Sequence, residues 1–389
     1  MHWDPPAPGG CRLHRRTFIQ GCLGALALLA IPRRGGAFFG SASPKGFVSP
    51  QPAQFYEALS HKMVKCLLCP RGCEVGVGER GDCGVRENRG GQYFTLAFGN
   101  PCAVHVDPIE KKPFFHLLPG SASYSLATAG CNLHCRFCQN WEISQARPEE
   151  TYNFDLPPDK VVAAALETDS ASVAHTYVEP VIFYEYMTAV GHLAKKAGLL
   201  NICHSNGYIN PEPLEKLAEV LDAACIDLKA FSPQFYRELV DGELDPVLNT
   251  LKILRRRGVH LEIVNLVIPT QNDRPEEISG MCRWIRENLG PLTPLHFSRF
   301  YPMHKMLTLN PTPVSTLERA RELALKEGLK YVYIGNLPGH EGENTYCHHC
   351  GKLVIARTGY RVSEINLKAG KCSHCGAPIP GIWQRPRPA

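Results

Sequence analysis

The chain has 389 residues, and both this length and its 44% apolar content are those of a globular protein with one large core or two modest ones. The formal net charge of +5 resides in the first 50 residues, where Arg12, Arg15, Arg16, Arg33, Arg34 and Lys45 face only Asp4. The remainder holds 36 basic and 36 acidic residues, so the folded body lacks the electrostatic footprint of a duplex-binding protein and nucleic acid is not expected as a partner.

In chain order, HRRTFIQGCLGALALLAIPRR (residues 14–34) comes first, joining Arg15 and Arg16 to an apolar run from Phe18 to Ile31. The run is short for a transmembrane span, and the pattern resembles a twin-arginine export signal. No A-x-A cleavage site follows, so an uncleaved tether is the competing reading. Residues 1–45 are therefore set apart from the fold, and 46–120 form a Cys- and Gly-rich N-terminal region.

From residue 121 strands alternate with helices. SYSLATAG reads as a strand and PPDKVVAAALETD as a helix with apolar positions at helical spacing. SVAHTYVE is a strand, and the helix in FYEYMTAVGHLAKKAG stops at Gly198. LLNICHSNG, AACIDLKA, VHLEIVNLVIP and PLHFSRF are further strands. Between and after them lie helices in PEPLEKLAEVLD, PQFYREL, DPVLNTLKILRRRG, RPEEISGMCRWIRENLG and STLERARELALKEG, and LKYVYIG closes the series. At least six alternating strands imply a parallel sheet with right-handed crossovers. The expected fold class is α/β, a partial (β/α)6 barrel over 121–335, with polar strand ends marking its C-terminal face as the site. Residues 336–389 form a C-terminal module with two close cysteine pairs.

Of the 17 cysteines, three groups stand out: Cys66, Cys69, Cys73 and Cys83; Cys131, Cys135 and Cys138; Cys347, Cys350, Cys372 and Cys375. Such close spacing indicates metal rather than crosslinks, because bridging near neighbours closes a loop too small to constrain the chain. The middle group lies in GCNLHCRFCQNWEISQ (130–145), directly after the first barrel strand. A structural zinc site is closed by four ligands, and each corner of an iron–sulfur cubane normally has a thiolate. Three cysteines on one loop leave one iron open to substrate or cofactor. Zinc completed by a remote ligand such as His134 is the alternative, and the six βα units behind the loop argue against it.

This C-x3-C-x2-C, with Phe137 before its last cysteine, resembles the radical S-adenosylmethionine (SAM) signature. That resemblance implies a [4Fe-4S] cluster whose open iron chelates SAM, and reductive cleavage of SAM to methionine and a 5′-deoxyadenosyl radical. DPIEKKPFFHLLPGS, TYVEP, SNGY, IDLKAF, VIPTQND, HFSRFYP and YVYIGN occur around the signature in the order seen in the radical SAM component of the AmmeMemoRadiSam system. Those proteins are in turn similar to pyruvate formate-lyase activating enzymes. The resemblance runs from about residue 52 to the end. It implies Memo-like and AMMECR-like partners, a one-electron donor and a polypeptide as one form of the unidentified substrate.

Carried onto this chain, the resemblance makes Glu179 the carboxylate that binds the SAM amino group. Val178 departs from the usual Y-N-E-P, which removes any side-chain contact there. Asn206 is a candidate for the ribose or methionine carboxylate, Asp227 for the ribose, and Lys229 for the SAM carboxylate or substrate. A turn at Ser205–Gly207 and an internal Asp227–Lys229 ion pair are the structural alternatives. Asn140, between Gln139 and Trp141, falls beside the SAM adenine. Asn265, His296 and Arg299 are further candidates to face the site, although a lone strand histidine is more often a core residue.

CHHCG and CSHCG at 347–351 and 372–376 resemble the two knuckles of a zinc ribbon. The quartet Cys66, Cys69, Cys73 and Cys83 suits zinc or an auxiliary cluster. Two narrower or different functions compete with the radical enzyme: a glycyl-radical enzyme activase, and an exported iron–sulfur electron-transfer protein. The chemistry points to the cytoplasm, where SAM is supplied, whereas the twin-arginine-like stretch points to a membrane tether or export.

Overall fold

The computed structural model describes residues 42–387, so the twin-arginine-like stretch lies outside the described residues. Eight strands form the central sheet in an order identical to their order along the chain. They are β1 (Ala103–Pro108), β2 (Ala122–Ala127), β3 (Ser172–His175), β4 (Leu200–Ser205), β5 (Ala223–Asp227), β6 (His260–Val267), β7 (Leu295–Arg299) and β8 (Val332–Gly335). Strands β2 to β8 are parallel, with Val173 opposite both Tyr124 and Asn201 and Asp227 opposite Val264. The parallel sheet and its alternation with helices match the expected α/β class. Among the described residues β1 and β8 do not pair, so the sheet stays open as a partial barrel does.

The antiparallel strand β1 was not legible in the sequence. AVHVDP is short, leaves His105 and Val106 exposed and ends in proline, which confines it to a sheet edge. By contrast β3 and β5 are small and apolar and almost wholly buried, as strands covered on both faces must be.

Helices α1 (Pro158–Glu167), α2 (Tyr184–Lys196), α3 (Pro211–Leu217), α4 (Leu244–Arg256), α5 (Pro275–Asn288) and α6 (Val314–Lys326) follow β2 to β7. Proline opens α1, α3 and α5, where its missing N–H costs nothing. Helix α3 ends five residues before the expected Asp222, because Val220 N already bonds Leu217 O and Asp222 N bonds Asn201 O on β4. The PQFYREL segment forms one α turn and then a wider π turn over Tyr236–Val240, closed by Asp241 in the left-handed region (φ 59°). No helix among the described residues is long and apolar enough to cross a membrane.

Small antiparallel sheets flank the barrel. On the N-terminal side, Tyr56–Ala58, Val64–Cys66 and Glu74–Val75 form one, and Gln51–Pro52, Arg86–Arg89 and Gln92–Thr95 another. On the C-terminal side Thr345–Tyr346, Leu353–Thr358 and Arg361–Ile365 pair, followed by a hairpin through Leu367–Lys368 and Lys371–Cys372. Arg357 ties this module to the barrel. Its buried guanidinium donates to Phe115 O (2.7 Å) and Thr345 Oγ1 (2.8 Å), with Glu110 at 3.7 Å.

Candidate active site

The loop carrying Cys131, Cys135 and Cys138 leaves the C-terminal end of β2 and is pinned by backbone bonds. His134 N donates to Val240 O and Arg136 N to Leu239 O, both carbonyls of the π turn, while Gly130 N donates to Ile143 O. Burial pushes the Cys135 thiol up to about 11 and that of Cys131 well above its ordinary range. Sulfur ligands must be thiolates, so Cys131 and Cys135 would need a cationic centre to ionise at neutral pH.

All three cysteines line one cavity of about 360 Å³, together with Asn140, Glu179, Asn206, Asp227 and Lys229. Glu179 follows β3 and is 3% exposed. It accepts from Ser205 Oγ (2.7 Å), Asn206 N (2.7 Å) and Val181 N (3.0 Å). Burial raises its carboxyl to about 7, and the donor from Asn206 and its neighbours limits that rise. The SNG turn and the site role are not exclusive: Asn206 Oδ1 accepts from Tyr208 N (2.8 Å), and its Nδ2 lies 4.0 Å from Cys131 Sγ.

The Asp227–Lys229 ion pair is present at 2.9 Å, and both side chains still face the cavity. His204 Nε2 lies 2.8 Å from the other Asp227 oxygen. Burial alone would raise the Asp227 carboxyl, but Lys229 and His204 override it and hold it well below the carboxylate range. Burial likewise opposes the charge on Lys229, and Asp227 outweighs that and keeps it cationic. The cavity thus combines a fixed, hydrogen-bonded charge network with the three sulfurs, and Asn206 Nδ2 stands 4.0 Å from Cys131 Sγ.

Asn140 donates its amide to Tyr177 O, and Gln139 also lines the cavity. Trp141 instead stacks on His304 (5.3 Å, 18°) and is partly exposed. His296 is a core residue, 1% exposed, bonded to Glu262 (2.8 Å) and stacked on Tyr333 (4.9 Å). Asn265 donates to Leu228 O and Arg299 to Thr312 O; neither lines the cavity. Sequence reasoning did not single out His204, Lys111, Lys112, Tyr177 or Tyr360, which do. Lys111 and Lys112 share Asp107, and Tyr177, held at φ 67°, donates its hydroxyl to the same carboxylate. The doubled lysine within DPIEKKPFF was the available signal. Tyr360 gave none, since it lies in the C-terminal module and reaches the rim only through the fold.

A larger cleft of about 600 Å³ opens on the other side of the cysteine loop, lined by Arg80, Cys83, Cys131 and Arg147 among others. It holds one cysteine of the triplet and none of the strand-end polar groups, which converge on the smaller cavity. Away from both, the sulfurs of Cys347, Cys350, Cys372 and Cys375 all lie within 4.8 Å of one another, a set that can hold a metal ion. Gly351 N bonds Cys347 O and Gly376 N bonds Cys372 O, closing two equivalent knuckles.

The family model for the radical SAM superfamily matches residues 125–282, which contain the cysteine loop and every polar strand end named above as far as Lys229. The chain belongs to the radical SAM superfamily. It is 44% identical over 329 residues to the uncharacterized protein MJ0808 of Methanocaldococcus jannaschii, covering 84% of this chain and 98% of that one. It is 25% identical over 167 residues to a pyruvate formate-lyase-activating enzyme of Listeria monocytogenes, covering 40% of this chain and 66% of that one. Among solved structures, a radical SAM methyltransferase from Sphaerobacter thermophilus aligns with a TM-score of 0.45 at 14% identity, over 61% of this chain and 71% of that one. Membership of the radical SAM superfamily implies an iron–sulfur cluster and SAM, and the donor set fits both: three thiols, a buried carboxylate and an amide line the same cavity.

Proposed function

We propose that this protein is a radical SAM enzyme whose [4Fe-4S] cluster is held by Cys131, Cys135 and Cys138. When bound, cluster and SAM together supply a 5′-deoxyadenosyl radical, which removes hydrogen from the substrate. The observation that carries this reading is the convergence of the three cysteines, Glu179, Asn206, Asp227 and Lys229 on one cavity. Glu179, once ionised, accepts from the SAM ammonium with charge assistance. Asn206 orients the methionine end, Asp227 the ribose, and Asn140 borders the adenine. Lys229 supplies positive charge beside Cys135 and the SAM carboxylate.

The fixed network of His204, Asp227 and Lys229 keeps these groups from reorganising as charge moves, which is what electrostatic preorganisation requires. Residues 121–335 are the catalytic core in this reading, with 46–120 and 336–389 as metal-bearing flanks. Zinc suits Cys347, Cys350, Cys372 and Cys375. A Zn–S bond of about 2.3 Å gives a tetrahedral sulfur–sulfur edge of about 3.8 Å, and the sulfur pairs here stand at 3.6 and 3.9 Å.

Similarity to pyruvate formate-lyase-activating enzymes favours one narrower variant, an activase that acts on a partner polypeptide. Memo-like and AMMECR-like proteins are the alternative partners, and the genes beside this one discriminate between the two. The reaction itself is tested by anaerobic reconstitution with iron and sulfide, then dithionite and SAM. Formation of 5′-deoxyadenosine is expected; none formed, with cluster absorbance intact, overturns the proposal.

A further inference from the structure

The quartet Cys66, Cys69, Cys73 and Cys83 is built from two strands and two turns that fold back on each other. Cys66 N bonds Cys73 O (2.9 Å) across an antiparallel pair. Cys66 interacts electrostatically with the other three. The four therefore form one group, but a looser one than the C-terminal quartet. Among the described residues, no three of them bring all their sulfurs within the 4.8 Å that encloses Cys347, Cys350, Cys372 and Cys375. A single zinc ion draws its thiolates to a tetrahedral edge, whereas a cubane places an iron–sulfide cube between them and spreads them.

Beside the looser quartet lie polar groups in need of acceptors. Arg86 is 1% exposed, and although its Nη2 serves Gln54 O and Glu185, its Nε and Nη1 have no protein partner. Tyr93 Oη, also buried, has none. Arg86 stacks over the Tyr93 ring (5.4 Å) and interacts electrostatically with Cys66 and Cys83. A Cβ placed on Gly81 would lie 3.2 Å from Tyr93 Oη and 3.4 Å from Cys73 Sγ, so hydroxyl and sulfur border the same glycine. Buried donors that lack a protein acceptor and lie beside a group of sulfurs are what an anionic cluster satisfies.

The quartet also touches the active loop. A Cβ at Gly130 would lie 2.6 Å from Cys83 O, so only glycine lets the two cysteine-bearing segments meet there. Asn132, next to Cys131, donates to Tyr208 O (2.8 Å) and accepts from Asn206 Nδ2 (2.9 Å), which ties this part of the loop to the cavity.

The geometry points to a second iron–sulfur cluster, held by Cys66, Cys69, Cys73 and Cys83, that relays electrons to the cluster on the 131–138 loop. One electron enters the quartet's cluster from a low-potential one-electron carrier, and one leaves it for the loop cluster. The carrier is oxidised by one electron, the loop cluster is reduced by one, and no bond or proton changes at the quartet. The relay rests on the proposed radical chemistry; the metal content does not.

The test is elemental analysis of the full-length chain, purified and reconstituted anaerobically. About eight irons, about eight sulfides and about one zinc per chain are expected, and about four irons with about two zincs overturns the second cluster. The full-length variant Cys131→Ala/Cys135→Ala/Cys138→Ala should keep about four irons and a reduced-cluster EPR signal that SAM does not alter. Should that variant aggregate, the wild-type metal count alone decides. With reduced ferredoxin as donor, rapid-freeze EPR of Cys69→Ser should lose the fast phase in which the SAM-responsive cluster is reduced, and an unchanged rate overturns the relay. A full iron count without 5′-deoxyadenosine would defeat the proposed reaction and leave the second cluster standing.

Discussion

The C-terminal quartet and the barrel loop both present cysteines on tight turns, yet they are built for opposite ends. Cys347, Cys350, Cys372 and Cys375 crowd within 4.8 Å and leave no side of a bound ion open. Cys131, Cys135 and Cys138 line a cavity that they share with Glu179, Asn206 and the Asp227–Lys229 pair. A closed thiolate site stabilises a fold, while an incomplete one facing polar strand ends admits a reactant. The number of cysteines matters less than what shares the cavity with them.

The contrast breaks most sharply at Cys135. Cys135→Ala should abolish 5′-deoxyadenosine formation, read by chromatography, while the zinc content of the distal quartet stays unchanged. Loss of zinc in that variant would show that the two sites are not independent.

Glu179→Gln comes next. Losing one charge-assisted bond in a buried site costs about 2–3 kcal/mol, or roughly 30- to 150-fold in SAM affinity by calorimetry. The pH trend has a definite sign. The folded-state carboxyl is raised from its ordinary 4.5 to about 7 by burial, so the folded protein holds its proton more tightly than the unfolded chain does. Stability relative to Glu179→Gln therefore falls as pH rises from about 4.5 to 7, while SAM affinity rises over the upper part of that window. The glutamine variant should show neither trend.

Smaller effects follow at the periphery. Cys372→Ser should lower the melting temperature by about 4–8 °C, read by calorimetry, with SAM cleavage retained at temperatures below the transition. Tyr360→Ala should change stability by less than about 0.5 kcal/mol, and its measurable consequence should be a higher ratio of 5′-deoxyadenosine to substrate product.

The sequence carried the repetitive parts of this molecule well. β3 to β7 and their helices follow from apolar periodicity, and the cysteine loop from its spacing. What it did not carry depended on distant partners. β1 reads as irregular because only the edge of β2 makes it a strand. His296, a strand histidine that reads as core more readily than as site, is core, and its partner Glu262 on β6 is what the local pattern does not name. His204 was passed over between Cys203 and Ser205, although Asp227 on the neighbouring strand turns it into part of the charged wall. Each miss is a pairing between residues far apart in the chain, which local pattern does not encode.

Tyr360 lies at the turn between Leu353–Thr358 and Arg361–Ile365, in the module that the distal cysteines anchor, and it lines the cavity more than 200 residues after the loop of Cys131. Under the proposed function, the cavity is thus bordered partly by a segment of the same module as the distal cysteines, a set that can hold a metal of its own. Chelation of the distal ion would loosen one lip of the entrance and spare the polar wall. Selectivity, rather than the capacity to cleave SAM, is the property that would drift with metal supply.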